Sequence, residues 1–346
     1  MARPTVRGLL GMVAASLLVC FAPAPVAGQS SRVPSASASV SLATVARQLG
    51  LKVTVREQGA ALTLTGTGVQ LEFTAGSREA AWNGYRLFLG EPPVLQGRNL
   101  TLTSTDWRAM IRPLIDPGAV KPPGRLELVV IDPGHGGSDP GTENRRLKLQ
   151  EKTYTLDVAK RLKRDLEKRG YRVLLTRTAD VRLKPGQSED LAARVAKANR
   201  AGADLFISLH FNSLPDNGTV RGIETYALTP AGQRSTAVHE RRTSDRTPYP
   251  GNRHDHWNMV LSSKLQHQLV KQLAAVDRGL KHARFAVLRP VQCPAALVEG
   301  GFLSNSTEAQ KIKSAAYRQK MAEAIGDGIG DYAVQLRAAA APKRSS

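Results

Sequence analysis

Cysteine is almost missing from this chain: Cys20 and Cys293 are the two among 346 residues. Aromatic residues are scarce at 5%, and the 29 acidic residues are outnumbered by 49 Lys and Arg, leaving a formal net charge of +20. No apolar run reaches the ~20 residues that a spanning helix needs, which excludes a polytopic membrane protein. With 41% hydrophobic and 23% charged residues the chain has a globular composition, so wholesale disorder is excluded as well. The length suits roughly two domains of about 150 residues each. So basic a surface expects a polyanionic partner, whether nucleic acid, anionic lipid or an anionic wall polymer.

The amino terminus narrows that choice. Arg3 and Arg7 precede an apolar run from Leu9 to Ala22, and small residues follow at Val26, Ala27 and Gly28. This order of charge, apolar stretch and small residues predicts a secretory signal over 1–28 and an exported protein, periplasmic or in the cell wall. The bulky Val19 before Cys20 makes a poor lipoprotein site. If Cys20 leaves with the leader, Cys293 is the sole thiol and no intrachain disulfide forms. An exported basic protein meets wall polymer before nucleic acid, so no nucleic-acid partner and no integral membrane span are expected.

Residues 29–39 are a Ser/Ala linker with too little apolar content to fold. Short alternating runs between turn residues predict a small β-rich domain over 40–115, opened by a helix at Leu42–Leu49. Its candidate strands are Lys52–Glu57, Ala61–Thr65, Val69–Thr74, Tyr85–Phe88 and Leu100–Ser104. No cluster of His, Cys or paired carboxylates lies there, which suits attachment rather than chemistry. Pro and Gly mark a linker at 116–124. From 125 to 337, apolar runs (Leu126–Ile131, Tyr171–Thr176, Leu205–Leu209, Gly222–Leu228, Phe285–Leu288, Ala295–Val298) alternate with helical periodicity (Glu151–Lys168, Leu191–Arg200, Met259–Leu273 and a last helix through Leu336). That alternation predicts an α/β fold of three layers, a largely parallel sheet with helices on both faces. The tail 338–346 is expected to fray.

Ligands of such sheets sit at the carboxyl ends of the strands. The strand at Leu126–Ile131 runs into Asp132-Pro-Gly-His135-Gly-Gly, Leu205–Leu209 ends on His210, and Ala295–Val298 ends on Glu299. Glu151 opens a helix on the same edge. Two imidazoles and one carboxylate with a position left open form a catalytic zinc set. His135, Glu151 and His210 are therefore expected ligands, with Glu143 and Asp139 as rivals to Glu151. Glu299 is the expected general base, the bland alternative being an ion pair with Arg289. His239, His254, His256, His267 and His282 lie on polar or helical text and are expected to be solvated.

Val-Val-Ile-Asp132-Pro-Gly-His135-Gly-Gly, Leu-Phe-Ile-Ser-Leu-His210-Phe-Asn212 and Pro294-Ala-Ala-Leu-Val-Glu299-Gly-Gly-Phe302-Leu-Ser-Asn305 together resemble the zinc-dependent N-acetylmuramoyl-L-alanine amidases. Leu175-Thr-Arg177, Asp277-Arg278-Gly-Leu and Val287-Leu-Arg289 match the same pattern, so the resemblance spans about 126–336. It implies a peptidoglycan hydrolase that cuts between N-acetylmuramic acid and the L-alanine of the stem peptide. One zinc ion would be held by His135, Glu151 and His210, with Glu299 as catalytic glutamate and Asn212 and Arg289 touching substrate. The order of helix, short strands, Asn83-Gly84, Pro92-Pro93 and Gly97-Arg98 resembles the small copper amine oxidase N-terminal domain, with no copper implied.

Two rival readings remain: a non-catalytic wall-binding protein, and a zinc carboxypeptidase cutting within the stem. An activating protein partner is left open. The stretch 231–257 is longer and more basic than that family needs, and is expected at the catalytic edge if its strand runs parallel to its neighbours. Glu240 would make it an inhibitory plug. Arg234, Arg241, Arg242, Arg246 and Arg253, with Tyr249 and Trp257 for sugar stacking, favour a substrate-gripping lid.

Overall fold

A computed structural model describes residues 38–214 and 217–341. The expected signal over 1–28, the linker up to 37 and the tail from 342 lie outside the described residues. The first part of the chain carries β1 (Ser39–Ser41), α1 (Leu42–Gln48), β2 (Lys52–Arg56), β3 (Ala61–Gly66), β4 (Val69–Thr74), β5 (Glu79–Trp82), β6 (Tyr85–Phe88), β7 (Val94–Gln96) and β8 (Asn99–Thr103). The alternation of β4 does what a period of two requires: Val69, Leu71 and Phe73 turn inward, and Gln70, Glu72 and Thr74 outward. Ser41 caps α1 by accepting from the Thr44 N–H at 3.1 Å. β5 and β7 are strands that composition does not announce, since Ala80-Ala81 has little β preference and Pro92-Pro93 abuts Val94. The short helices α2 (Ser104–Asp106) and α3 (Arg112–Ile115) flank a wider turn and bury Trp107, Met110, Ile111 and Leu114.

The second part comprises β9 (Leu128–Pro133), β10 (Glu143–Asn144), β11 (Leu149–Gln150), α4 (Glu151–Lys168), β12 (Arg172–Leu175), α5 (Gln187–Arg200), β13 (Leu205–Asn212), β14 (Ile223–Leu228), α6 (Asp255–Leu273), β15 (Asp277–Ala283), β16 (Ala295–Phe302), α7 (Ser306–Lys313) and α8 (Ala315–Ala340). Both faces of the sheet are covered. Val129 and Ile131 of β9 pack with α4, α6 and α8, while Leu128 and Val130 pack on the side of α5. The three-layer α/β architecture is thus as expected. Each buried Leu or Val on those faces contributes about 1.5–3 kcal/mol.

Three features differ from the sequence reading. The run Phe285–Leu288 is a turn, with Leu288 N–H donating to the Phe285 carbonyl, and the strand is β15 (Asp277–Ala283), which the sequence did not mark as one. α8 continues to Ala340, so the fraying expected from 338 does not begin there. The third difference is direction. β12, β9, β13 and β16 are mutually parallel, but β14 pairs antiparallel with β16 and parallel with β15. The sheet is therefore mixed, two parallel blocks of opposite sense.

The small domain continues that sheet. The order is β12-β9-β13-β16-β14-β15-β6-β5-β4-β3-β2, eleven strands in all, with Leu280 of β15 bridged to Leu87 of β6. Met259 and Leu280 belong to the same apolar cluster as Leu71, Leu87 and Trp107. The stretch 116–124 is pinned to α6, where His256 Nε2 meets the Pro117 carbonyl at 2.8 Å and Trp257 Nε1 donates to the Lys121 carbonyl at 3.0 Å. The junction is packed, not slack.

Candidate active site

Because β9, β13 and β16 are parallel neighbours, their carboxyl ends share one edge. His210 stands beside Glu299 in register, and Glu224 of β14 faces Glu299 from the other side. Glu151, the first residue of α4, reaches the same place and bridges two imidazoles. Its Oε1 lies 2.9 Å from His210 Nδ1, and its Oε2 lies 3.2 Å from His135 Nε2. The N–H groups of Phe211 and Thr142 donate to those oxygens at 3.0 and 2.8 Å. One ligand atom from each of His135, Glu151 and His210 falls within 4.8 Å of the others.

The loop after β9 is held open by buried arginines. His135 takes a left-handed φ of +61°, a conformation that persists only where neighbours over-determine it. Arg194 does so: it donates to the His135 carbonyl at 2.7 Å and the Pro133 carbonyl at 2.7 Å, and pairs with Asp132 and Asp190. Arg177 adds bonds to the carbonyls of Pro133, Gly134 and Lys152. Gly134 and Gly141 leave the room: a Cβ at Gly134 would stand 2.2 Å from His210 Cε1, and one at Gly141 2.7 Å from His135 Cδ2. The sequence names Arg177 only as part of a matching motif, without a role, and it passes over Arg194. Arg194 did leave a signal, an arginine on the apolar stripe of Leu191, Val195 and Ala198.

Asp139, a rival ligand on the sequence reading, instead meets His135 Nδ1 at 3.0 Å, which turns Nε2 toward Glu151. Glu143 sits on a small hairpin and pairs with Gln150. Burial opposes the charge on His135, but Glu151 and Asp139 outweigh it and raise its pKa to about 10. Burial likewise disfavours ionised Glu151, yet His135 and His210 hold its carboxyl below the usual range. That field favours a cation. Two imidazole nitrogens and a carboxylate oxygen within 4.8 Å of one another are a donor set whose chemistry suits zinc.

Glu299 is 5% exposed and its Oε2 has no hydrogen-bond partner among the described residues. Burial pushes its carboxyl well above the usual range, and the charges of Glu151 and Glu224 push it further. Asn212 lies in the site, but its amide donates to Glu224 at 3.1 Å. Arg289 is not brought there. It lies over the Tyr249 ring, and its carbonyl accepts from Gly251 near the start of β16, at the opposite sheet edge.

The antiparallel β14 also moves the segment 231–257. It leaves at the edge where β16 begins and packs on the small domain: Arg234 and Arg241 pair with Glu91, and Arg78 donates to the carbonyls of Arg234, Ser235, Thr236 and Val238. Trp257 is buried against Tyr332, out of reach of any sugar. The segment is neither plug nor lid; it braces the junction. Of the histidines expected in solvent, His256 and His282 are buried at that junction.

Among the described residues no helix is long and apolar enough to cross a membrane. A family described as N-acetylmuramoyl-L-alanine amidase matches residues 129–331, and a copper amine oxidase N-terminal domain family matches 33–107. The chain is 35% identical over 206 residues to N-acetylmuramoyl-L-alanine amidase LytC of Bacillus subtilis (strain 168), covering 60% of this chain and 35% of that protein. It is 33% identical over 229 residues to the amidase AmiC of Neisseria meningitidis serogroup B, covering 60% and 53%. These matches span about a third to a half of the length of those relatives. The crystal structure of an N-acetylmuramoyl-L-alanine amidase from Clostridium difficile 630 superposes with a TM-score of 0.50 at 32% identity, covering 60% of this chain and 97% of that one.

Proposed function

Since the chain belongs to the N-acetylmuramoyl-L-alanine amidase family, we propose that it is an exported peptidoglycan hydrolase that cuts the amide between N-acetylmuramic acid and L-alanine with the help of one zinc ion. The observation that carries this reading is the meeting of His135, Glu151 and His210 one strand away from the buried Oε2 of Glu299, which has no hydrogen-bond partner among the described residues. His135, Glu151 and His210 would hold the ion. When bound, zinc polarises the scissile carbonyl and brings the pKa of water toward ~7.

The rest falls to the protein. Glu299 Oε2 takes a proton from the attacking water, whose oxygen adds to the lactyl carbonyl carbon. As the carbon–nitrogen bond breaks, Glu299 returns that proton to the alanine nitrogen, so one water is consumed and one amine released. A carboxyl whose pKa is raised by burial is suited to hold a proton between those two steps. Cys293 takes no part: burial pushes its thiol up to about 12. Export rests on the leader read over 1–28 and fits the basic charge. Asn212 donates to Glu224 and so helps to fix that carboxylate.

The test is to digest purified wall with the protein, with and without a chelator, and to identify the new termini. The amidase frees intact stem peptides beginning with L-alanine, and the chelator abolishes their release. Shortened stems would point to the carboxypeptidase reading, and no new termini to a wall-binding protein.

A further inference from the structure

We propose that Arg278 reads a carboxylate on the substrate, carried by the peptide residue that follows the alanine. This rests on the amidase reading above. Glu224 faces Glu299 across the β14–β16 pair. On its other side the β14–β15 register slips: Ile223 pairs with Asp277 and Thr225 with Leu280, so Arg278 and Gly279 together oppose Glu224. Such a bulge re-aims a side chain. Gly279 takes a φ of +96°, and a Cβ there would stand 2.9 Å from the Phe88 ring and 3.0 Å from the Arg86 carbonyl oxygen. The small domain's β6 thus closes on the bulge and fixes its shape.

The bulge turns Arg278 back onto Glu224. Its Nε donates to Glu224 Oε1 at 2.6 Å, and the guanidinium lies 5.0 Å from the Phe302 ring centre. Lys281 Nζ donates to the same oxygen at 2.6 Å. Tyr226 Oη and the Asn212 amide donate to Oε2 at 2.6 and 3.1 Å. One buried carboxylate therefore holds two cations, which leaves a positive charge in excess. Burial would raise the Glu224 pKa, but Lys281 and Arg278 lower it, so the anchor stays ionised.

The excess charge reaches solvent through Arg278. Its side chain is 29% exposed, against 13% for that of Lys281. Among the described residues neither Nη nitrogen of Arg278 has a hydrogen-bond partner. A guanidinium fixed at Nε, with both Nη groups free, is preorganised for a planar two-oxygen anion. A neutral amide offers one acceptor in place of two and no charge. The substrate class is accordingly an acidic muramoyl peptide.

Two soluble muramoyl dipeptides test this, differing only in whether the residue after alanine bears a free α-carboxylate or the carboxamide. KM and kcat are measured for the wild type, Arg278→Gln and Arg278→Lys. In the wild type KM for the carboxylate form is lower by about tenfold or more. Arg278→Gln brings the KM ratio toward one, and Arg278→Lys recovers part of it. An unchanged ratio in Arg278→Gln, or no preference in the wild type, overturns the proposal. Binding of the same peptides to Glu299→Gln by calorimetry reads the ratio without turnover. Equal affinity for both peptides there overturns the role of Arg278. Preferential binding of the carboxylate form, with neither peptide cleaved by the wild type, supports that role and overturns the amidase reading alone.

Discussion

Lowering the pH should loosen the junction between the two parts of the chain through one residue, His282. It lies on β15 at 3% exposure, with no hydrogen-bond partner for Nδ1 among the described residues and the Arg78 guanidinium nearby. Burial, reinforced by Arg78, depresses its pKa from 6.5 to about 4. Below pH 6.5 the unfolded chain takes up a proton that the folded chain refuses, so the contribution is present above about 6.5 and drains away as pH falls toward about 4. From those two values, about 2 kcal/mol is lost between pH 7 and pH 5, and about 3 kcal/mol by pH 4. Urea unfolding at pH 7 and pH 5, on the wild type and on His282→Gln, isolates this share, because other titrating groups are common to both proteins. The wild type should lose about 2 kcal/mol more than the variant. Equal losses, or an imidazole that titrates near 6.5 by NMR, would refute the packed junction.

Arg194→Met leaves Asp132 and Asp190 without their cation in the interior, and urea unfolding should show a loss of about 3–5 kcal/mol. A loss below about 1 kcal/mol would mean the network is slack. Gly134→Ala drives a methyl group to 2.2 Å from His210 Cε1, so the variant should fold but lose zinc and activity, as read by metal analysis; full occupancy would contradict this. A chain begun at Gly124 exposes Met259 and Leu280, at about 1.5–3 kcal/mol each, so its unfolding midpoint should drop. An unchanged midpoint would restore the simple picture of two parts on a loose linker.

His135, His210 and Glu299 were legible because a polar residue closing an apolar strand marks the sheet edge where sites form, and Glu151 because it starts the helix at that edge. Strand direction was not legible. The run Ile223–Leu228 reads alike either way, and only its pairing with β16 turns it round and carries 231–257 away from the site. The continuous sheet was hidden for a similar reason: the meeting of Leu87 with Leu280 joins residues far apart in the chain. Arg278 stood in a matching motif, but its role was not legible, because the bulge that aims it exists only in the pairing of β14 with β15. His256 and His282 sit on polar text but are buried by contacts from the other part of the chain.

Glu299→Gln tests the central claim most directly, through zinc content and turnover measured on the same sample. The amide keeps the shape of the carboxylate but cannot accept a proton, so full zinc occupancy with turnover below roughly a few per cent of wild type is expected. Substantial turnover with zinc bound would show that Glu299 is not the proton carrier, and loss of zinc would show that it is instead part of the metal site.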